Sequence, residues 1–326
     1  MTDAHHLLLM PPNWIGDAVL AQPAMRAISE HYRMLHPDLR ISVCGRGWLK
    51  DLLPWLNMPT AIYSASMVRA DSAFLFPNSF RSAWQCRLAG NRHITGYRGQ
   101  WRRLLLDTAL PHKLSLRYQH HRDFYLDIPR QSGIPIEQRD VRLQAPDGAI
   151  ESGQQAMLAH GLDPARVVTL APGAQFGAAK CYPETGFAIV CRTLAEAGWQ
   201  PLILGMPEDK ETGSRILSGL NVPHWNAAGE TTLGQALQLI AASRLMLCND
   251  SGLMHVAAGV GIATVAPFGA TDPARTSPSG ERVRILYQPA DCSPCLKREC
   301  HVPGHPCMNN ITPKMLSDAC FSLLAP

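Results

Sequence analysis

Residues 245–258 combine a buried strand with the start of a helix in a way that suits anion binding. The apolar run 245–248 is typical of a strand, and residues 249–252, Asn-Asp-Ser-Gly, break it with helix-capping side chains. Apolar residues at helical spacing follow. We expect a tight turn whose helix N-terminus presents backbone N–H groups and a positive dipole end to an anion. An ordinary strand–helix turn is the alternative.

Asp17 is a second candidate because it follows Gly16 at the entrance of the first predicted helix. A carboxylate in this place could simply stabilise the helix dipole. At the edge of a cleft, the same carboxylate could act as a general base that takes the proton from an attacking hydroxyl group. The residues alone leave both interpretations open.

Lys180 ends a loop of small residues, 172–180, that follows a buried apolar run. The small residues would let backbone amides approach a diphosphate, and the ammonium group would neutralise the leaving charge. A solvated lysine is the alternative. The loop lacks the spacing and the trailing Ser or Thr of a Walker A motif, and no G-x-G-x-x-G follows the first strand, which disfavours a nicotinamide dehydrogenase.

Two further polar residues lie beside these loops. Asp209 is in the turn after a buried strand, where it could cap the next helix or accept hydrogen bonds from ribose hydroxyls. His255 falls in the first helical turn after residues 250–252. His255 could contact a phosphate or a sugar, but a histidine buried in the core is the commoner interpretation.

Four cysteines near the C-terminus have a spacing that is typical of metal sites. The pattern C-x2-C-x4-C-x6-C is formed by Cys292, Cys295, Cys300 and Cys307, with His301 and His305 nearby. A structural zinc ion or iron–sulfur cluster is one hypothesis, and a loop of reduced thiols is the alternative. Disulfides are a weaker option in a reducing compartment. Because the segment follows the last predicted strand, we expect it to lie away from the catalytic loops.

Strands alternate with helices along the whole chain, which predicts parallel sheets covered by helices on both faces. The pattern restarts at about residue 165. We therefore expect two doubly wound α/β domains with a cleft between them. Ligands of such sheets bind at the carboxyl ends of strands, and the loops of Asp17, Lys180, Asp209 and Asp250 each follow a predicted strand.

Length and composition agree with this organisation. The chain has 326 residues, of which 46% are hydrophobic and 17% are charged, as in a globular protein of two ordinary domains. The net charge of +4 does not indicate nucleic-acid binding, but it suits an acidic substrate or an anionic membrane surface. No apolar run is long enough to span a bilayer, and residues 1–6 lack the features of a signal peptide, so we expect a cytoplasmic protein with reduced thiols.

Six motifs follow one another along the chain: residues 12–17 (PNWIGD), 77–83 (PNSFRSA), 96–99 (GYRG), 172–180 (PGAQFGAAK), 249–258 (NDSGLMHVAA) and 309–313 (NNITP). In this order they resemble glycosyltransferase family 9, most closely its branch of ADP-heptose:lipopolysaccharide heptosyltransferases II. The resemblance covers nearly the whole chain.

The resemblance implies a GT-B fold, in which two doubly wound Rossmann-like domains face each other across a cleft. Residues 1–160 would bind the acceptor, and residues 161–326 the nucleotide sugar, with a terminal helix that could pack back on the first domain. The implied reaction is the inverting transfer of L-glycero-D-manno-heptose from ADP-heptose to the first heptose of the lipopolysaccharide inner core, heptosyl-Kdo2-lipid A. The protein could then contact the cytoplasmic face of the inner membrane peripherally.

The resemblance also implies roles for individual residues. Asp17 matches the catalytic base of the family, and Lys180 matches its phosphate-binding lysine. The other implied donor contacts, with Asp209 at the ribose and Thr231 near the adenine, are Gly173, Ala174, Gln175, Asp250, Ser251, Gly252, Leu253 and His255. The expected acceptor contacts are Asn13, Asn78, Arg81, Arg98 and Arg102, with Arg103 beside them; a solvated basic face is the alternative for the arginines.

Since a lysine and helix dipoles could stabilise the leaving diphosphate, and no D-x-D pair is present, we expect no cofactor in catalysis. The chain departs from the family pattern at Gln175, at Cys181 and Tyr182, and at Asp209, where some relatives have Glu. Two rivals remain open: another GT-B transferase with a different sugar or acceptor, and a non-catalytic sugar-nucleotide-binding or metal-binding protein built around the cysteines.

Overall fold

The computed structural model describes residues 4–58, 60–111 and 119–325. The chain divides into two compact units, Met1–Gln144 and Ala145–Pro326, and each is built around its own six-stranded sheet. Residues 145–160, which the sequence analysis assigned to the first domain, belong to the second unit. The reason is that the helix Ala149–Ala159 packs on the helix Leu233–Ala242.

The first unit has six parallel strands in the order β3-β2-β1-β4-β5-β6. Its strands are β1 (His6–Met10), β2 (Arg40–Cys44), β3 (Ala61–Ser64), β4 (Ser72–Leu75), β5 (His93–Tyr97) and β6 (Thr108–Leu110). Its helices are α1 (Ile15–Leu20), α2 (Gln22–Leu35), α3 (Leu49–Leu52), α4 (Phe80–Leu88) and α5 (His121–Gln131).

The second unit repeats this topology with the order β12-β11-β10-β7-β8-β9. Its strands are β7 (Val167–Ala171), β8 (Gln200–Ile203), β9 (Trp225–Asn226), β10 (Leu245–Cys248), β11 (Ala263–Phe268) and β12 (Val283–Tyr287). Its helices are α6 (Ala149–Ala159), α7 (Glu184–Glu196), α8 (Lys210–Leu217), α9 (Leu233–Ala242), α10 (Gly252–Gly259), α11 (Pro273–Thr276), α12 (Pro306–Asn309) and α13 (Pro313–Leu324). The prediction of two doubly wound parallel sheets is confirmed.

Helices on both faces of each sheet explain why the central strands are continuous apolar runs. In β4, Ala73 and Leu75 pack with Ala83 of α4 on one face. Phe74, which alternates with them, contacts the ring of Tyr32 in α2 on the other face, with 5.7 Å between ring centroids. In the second unit, every residue of β7 and of β10 is buried.

The strand order places the candidate loops. In each sheet the order reverses beside the first strand, between β1 and β4 and again between β7 and β10. A reversal opens a crevice at the carboxyl ends of the two strands, because their following helices leave toward opposite faces. Residues 11–17 and 76–79 lie at the first reversal, and residues 172–180 and 249–251 lie at the second.

The helix ends follow local sequence signals. Ser79 caps α4 by accepting a hydrogen bond from the Ser82 amide at 3.2 Å. Thr312 caps α13 in the same way, with a proline following it, and α13 packs on α7, β10 and β11 of its own unit. Within the described ranges, no helix is long and apolar enough to cross a bilayer.

Candidate active site

Asp17 lies in the first turn of α1, just after β1, with its side chain a quarter exposed. Its Oδ1 atom accepts a hydrogen bond from the Tyr125 hydroxyl at 3.0 Å and lies 3.3 Å from His121 Nδ1. A carboxylate that is oriented by a phenol and reaches solvent can accept a proton from a bound hydroxyl group. A carboxylate at a helix N-terminus also stabilises the helix dipole.

Tyr125 and His121 are site residues that the sequence analysis missed. Both come from α5, and Tyr125 is 108 residues from Asp17 in the chain. Burial, followed by the charge of Asp17 and the hydrogen bond to it, raises the pKa of Tyr125 well above its ordinary value. The hydroxyl therefore stays protonated and remains a donor. Since α5 packs beside α1, only the tertiary fold brings these groups together.

We expect Tyr125→Phe to lower kcat/KM roughly tenfold, because Asp17 loses a hydrogen bond from a well-placed donor. That bond favours the ionised carboxylate, so the acidic limb of the pH–rate profile should move to higher pH. The measurement is kcat/KM across pH. Tyr63→Phe is the control, because the Tyr63 hydroxyl donates a long hydrogen bond, 3.5 Å, to the Gly45 carbonyl. A loss of activity without displacement of the limb would show that Tyr125 serves only the packing of α5.

The expected acceptor contacts differ in exposure. Asn13, Arg81 and Arg98 are exposed at the carboxyl edge of the first sheet. Asn78 is half-buried, and its Oδ1 accepts a hydrogen bond from Arg102 Nη2 at 3.1 Å. The first three side chains are therefore free to meet a ligand, while Asn78 also supports the loop that carries it.

Arg102 is fully buried, which corrects its assignment as an acceptor contact. Its Nε donates to the Tyr97 carbonyl at 2.6 Å, and its Nη1 donates to the Pro77 carbonyl at 2.5 Å. Burial lowers the pKa of Arg102 to about 10, so the guanidinium remains charged at neutral pH. It joins the loops that follow β4 and β5. The sequence could not distinguish it from its exposed neighbour Arg103.

We expect Arg102→Met to lower the free energy of unfolding by several kcal/mol, because each buried acceptor left without a donor costs about 1–3 kcal/mol. Arg103→Met is the matched control and should change stability by no more than about 0.5 kcal/mol, as an exposed substitution does. Urea unfolding of both variants measures the difference. Equal losses for the two would show that the Arg102 hydrogen bonds do not stabilise these loops.

Lys180 and Asp250 form a charged centre in the second unit. Lys180 Nζ lies 2.6 Å from Asp250 Oδ2, and the two side chains are 12% and 4% exposed. The Thr271 hydroxyl donates to the same oxygen at 2.5 Å, and the Phe176 ring centroid is 4.8 Å from the ammonium nitrogen. An ammonium group has three donors, so Lys180 can hold Asp250 and still contact a phosphate oxygen.

Asn249 fixes the loop of Lys180 to the end of β10. Its Oδ1 accepts a hydrogen bond from the Tyr182 amide at 2.9 Å, and its Nδ2 donates to the Pro172 carbonyl at 2.5 Å. Asn249 is fully buried, so both ends of residues 172–182 are held by one side chain. Sequence reasoning placed Asn249 in the motif but gave neither it nor Thr271 a role.

The N-terminus of α10 follows directly. Ser251 is the N-cap residue, yet its side chain makes no capping hydrogen bond, and its buried hydroxyl oxygen has no partner among the described residues. The Ser251 side chain therefore does not occupy the first backbone amides of α10. These amides and the positive end of the helix dipole can bind an anion. Gly252 and Leu253 begin the helix half-buried, and His255 is buried in its first turn.

Asp209 meets the loop of Lys180 from β8. An added Cβ atom would overlap the Asp209 carboxylate at Gly173 and would lie 2.7 Å from it at Gly205, so a side chain at either position would displace Asp209. Burial, with a smaller contribution from Glu208, raises the pKa of Asp209, while the bond from the Met206 amide opposes the change. The structure thus brings Asp209 and the 173–180 loop together at adjacent strand ends.

The remaining donor candidates are less enclosed. Ala174 is half-buried and Gln175 is exposed on the 172–180 loop. Thr231 is half-buried and precedes Thr232, the N-cap of α9, whose hydroxyl accepts a hydrogen bond from the Gln235 amide at 3.3 Å. In the described structure, no hydrogen bond joins Thr231 to Lys180 or Asp250.

The cysteine-rich segment packs against the loop of Lys180, so the expectation that it lies away from the catalytic loops is wrong. The Ala179 amide donates to the Arg298 carbonyl at 2.9 Å, and His305 Nε2 is 3.1 Å from the Ala179 carbonyl. Gly177 has a φ of 150°, and the Arg298 carbonyl occupies the place of any side chain there. The segment therefore holds residues 172–180 from one side.

The metal hypothesis gains no support from this segment. Among the described residues, no group of three or more His, Cys, Asp or Glu side chains could hold a metal ion. All 10 cysteines are free thiols. Cys307 is buried against Gly269, and burial raises the pKa of its thiol. The described structure therefore does not support the assignment of Cys292, Cys295, Cys300 and Cys307 as metal ligands.

The model of glycosyltransferase family 9 (heptosyltransferase) matches residues 57–305, which is most of the chain. The chain belongs to this family. Among family 9 relatives, lipopolysaccharide heptosyltransferase 2 of Escherichia coli (strain K12) is 31% identical over 98% of each chain. The solved structure of E. coli ADP-heptose lps heptosyltransferase II aligns with a TM-score of 0.81 at 28% identity, covering 98% of both chains.

A family 9 structure from Veillonella parvula aligns with a TM-score of 0.80 over 98% of this chain and 97% of that one, but at 17% identity it shows the fold alone. Together with the two sheets described above, these matches confirm the GT-B class with two Rossmann-like domains. The resemblance to family 9 is confirmed, and the protein is a glycosyltransferase.

Proposed function

We propose that the protein transfers L-glycero-D-manno-heptose from ADP-heptose to the first heptose of the lipopolysaccharide inner core, with inversion. The observation that carries the proposal is the charged centre of Lys180 and Asp250 beside the open N-terminus of α10. This arrangement suits a sugar diphosphate. The named relatives, which are lipopolysaccharide and lipooligosaccharide heptosyltransferases 2, support the choice of sugar and acceptor.

On the donor side, the amides of residues 173–177 and of the first turn of α10 would hold the diphosphate together with Lys180. Asp250 keeps the ammonium group in place at 2.6 Å. As the bond from the anomeric carbon to the phosphate oxygen breaks, ADP takes the electron pair, and these donors stabilise the charge that builds on it. We assign Asp209 to the ribose hydroxyls and Thr231 to the adenine edge.

On the acceptor side, the attacking hydroxyl forms its bond to the anomeric carbon opposite the departing ADP, which inverts that carbon. Asp17 takes the hydroxyl proton. Tyr125 and His121 orient the carboxylate for this step. Asn13, Arg81 and Arg98 are exposed at the same sheet edge and would contact acceptor sugars and phosphates.

Because the proposed acceptor is anchored in a lipid bilayer, the reaction would take place at a membrane surface. We therefore infer that the enzyme acts from the cytoplasm as a peripheral protein at the inner membrane. The net charge of +4 and the exposed arginines of the first unit support contact with an anionic surface.

A transfer assay with ADP-heptose and a core acceptor that bears one heptose tests the proposed reaction. The expected result is ADP release and an acceptor heavier by one heptose. Parallel assays replace the donor with other nucleotide sugars and the acceptor with one that lacks heptose. Faster transfer from another donor, or to the acceptor without heptose, would overturn the assignment of sugar or acceptor.

A further inference from the structure

The first unit exposes an apolar face along α4 and the adjacent 3-10 helix Arg102–Leu105, which we call the α4 face. Helix positions four residues apart share one side of a helix, so three apolar side chains of α4 form a row. Trp101 and Leu104, from the neighbouring segment, are each 93% exposed. The α4 face consists of Phe80, Trp84, Leu88, Trp101 and Leu104.

This face is held rigidly. The buried Arg102 bonds to the loop before α4, and Arg87 Nη2 donates to the Leu105 carbonyl at 2.9 Å. At the other end, the Phe80 amide donates to Gln100 Oε1 at 3.3 Å. The rings of Phe80 and Trp84 stack at 6.2 Å. The 3-10 helix is thus fastened to α4 at both ends, and its apolar side chains are presented outward.

The backbone that presents Trp101 is itself unusual. Gln100 and Trp101 have φ angles of 45° and 61°, in the left-handed region that residues with a Cβ atom seldom occupy. A large aromatic side chain that is held in solvent by a disfavoured backbone does not stabilise the fold. Such conformations concentrate at functional positions, which singles out Trp101 as a contact residue.

Basic side chains predominate around the face, although Asp107 pairs with Arg87 at 2.8 Å beside it. Residues 80–106 contain six arginines and no acidic residue. Arg81, Arg98 and Arg103, which lie along the face, are exposed and form no ion pair within the described part of the chain. Aromatic and aliphatic side chains rimmed by arginines match a bilayer interface, where rings enter the headgroup layer and guanidinium groups meet lipid phosphates.

We propose that the α4 face docks the protein onto an anionic phospholipid membrane. Phe80 and Arg81 follow β4, and Arg98 follows β5, so the face begins at the carboxyl edge of the sheet, where Asp17 lies after β1. Docking in this way brings the edge that carries the base toward the lipid surface. This last point rests on the proposed function, because it assumes a lipid-anchored acceptor.

Vesicle flotation of the full chain without substrates tests the docking itself. We expect binding to vesicles of an equal mixture of phosphatidylcholine and phosphatidylglycerol, and much weaker binding to phosphatidylcholine alone or at high salt. The double variant Trp101→Ser/Leu104→Ser should weaken binding roughly tenfold or more, since two large apolar anchors leave the interface. Failure of the natural chain to bind the mixed vesicles would overturn the proposal.

Matched control variants distinguish binding through this face from non-specific binding to vesicles. Met34→Ser/Leu35→Ser removes two exposed apolar side chains at the end of α2, on the other face of the sheet, and should bind as the natural chain does. Arg103→Glu should weaken binding roughly tenfold, whereas Arg40→Glu, at the amino end of β2, should not. Equal effects within either pair would contradict the assignment.

Two further readouts distinguish the alternatives. With a soluble acceptor that lacks acyl chains, the Trp101→Ser/Leu104→Ser variant should keep its turnover, and it should lose turnover only with vesicle-embedded acceptor. If the natural chain shows no turnover at all, the proposed function is wrong, but the flotation result still tests membrane docking independently. If the natural chain self-associates through Trp101 and Leu104 in the absence of lipid, as sedimentation would show, the face is a protein interface and the membrane assignment fails.

Discussion

Asp17→Asn is expected to slow sugar transfer by about a hundredfold or more while donor binding stays nearly unchanged. The amide has the same shape and can keep a hydrogen bond with Tyr125, but it cannot take a proton from the attacking hydroxyl. General-base catalysis contributes about 10²–10⁴ in rate, and kcat should fall by that range. Rates of ADP release measure kcat, and titration calorimetry with ADP measures donor affinity. ADP binds the second unit in our proposal, so its affinity reports on a site that Asp17 does not form.

The alternative role of Asp17, stabilisation of the α1 dipole, gives a different result. Loss of a dipole-stabilising carboxylate costs about 0.3–1 kcal/mol of stability and leaves the chemistry intact. Asp51→Asn is the control, because Asp51 also lies in the first turn of a helix in this unit, α3. If Asp17→Asn behaves like this control, with a small loss of stability and near-normal turnover, the base assignment must be abandoned.

The sequence predicted the parts of the site that follow strands. Asp17 follows β1 of the first unit, and three residues follow strands of the second unit: Lys180 after β7, Asp209 after β8 and Asp250 after β10. Within each sheet, parallel strands bring their carboxyl ends to one edge. Helix starts were equally visible, as Thr312 before a proline shows. These are local signals, so they can be read without knowing the tertiary fold.

Contacts between distant segments could not be predicted in this way. Tyr125 reaches Asp17 across 108 residues, and nothing in the spacing of α5 indicates that its tyrosine faces α1. Arg102 and Arg103 are neighbours in sequence, yet one is fully buried and the other exposed. Their difference depends on which backbone carbonyls the loops after β4 and β5 bring close.

The cysteine-rich segment shows the limit of spacing arguments. A C-x2-C-x4-C-x6-C pattern is compatible with a metal site, but it is equally compatible with thiols placed by other contacts. Here the backbone of Arg298 and the ring of His305 contact Ala179, one residue before Lys180. The position of the segment in the sequence, after the last strand, gave no sign of this contact.

Lys180→Met should weaken ADP binding by roughly tenfold or more and slow transfer, because the diphosphate loses a charge-assisted contact. It should also destabilise the second unit. Asp250 is 4% exposed and would be left without its cation, and breaking a buried ion pair costs about 3–5 kcal/mol. Thermal unfolding therefore accompanies ADP titration and turnover. Lys210→Met is the control, since the exposed pair of Lys210 with Glu230 should contribute about 1 kcal/mol at most.

The double variant Lys180→Met/Asp250→Asn separates the two effects of Lys180. A neutral amide at position 250 removes the unpaired buried charge and can still accept a hydrogen bond from Thr271, so much of the lost stability should return. ADP affinity should remain low, because no ammonium group faces the diphosphate. If affinity recovers together with stability, Lys180 serves only to neutralise Asp250. The open N-terminus of α10 would then have to bind the diphosphate without a cationic side chain from this loop.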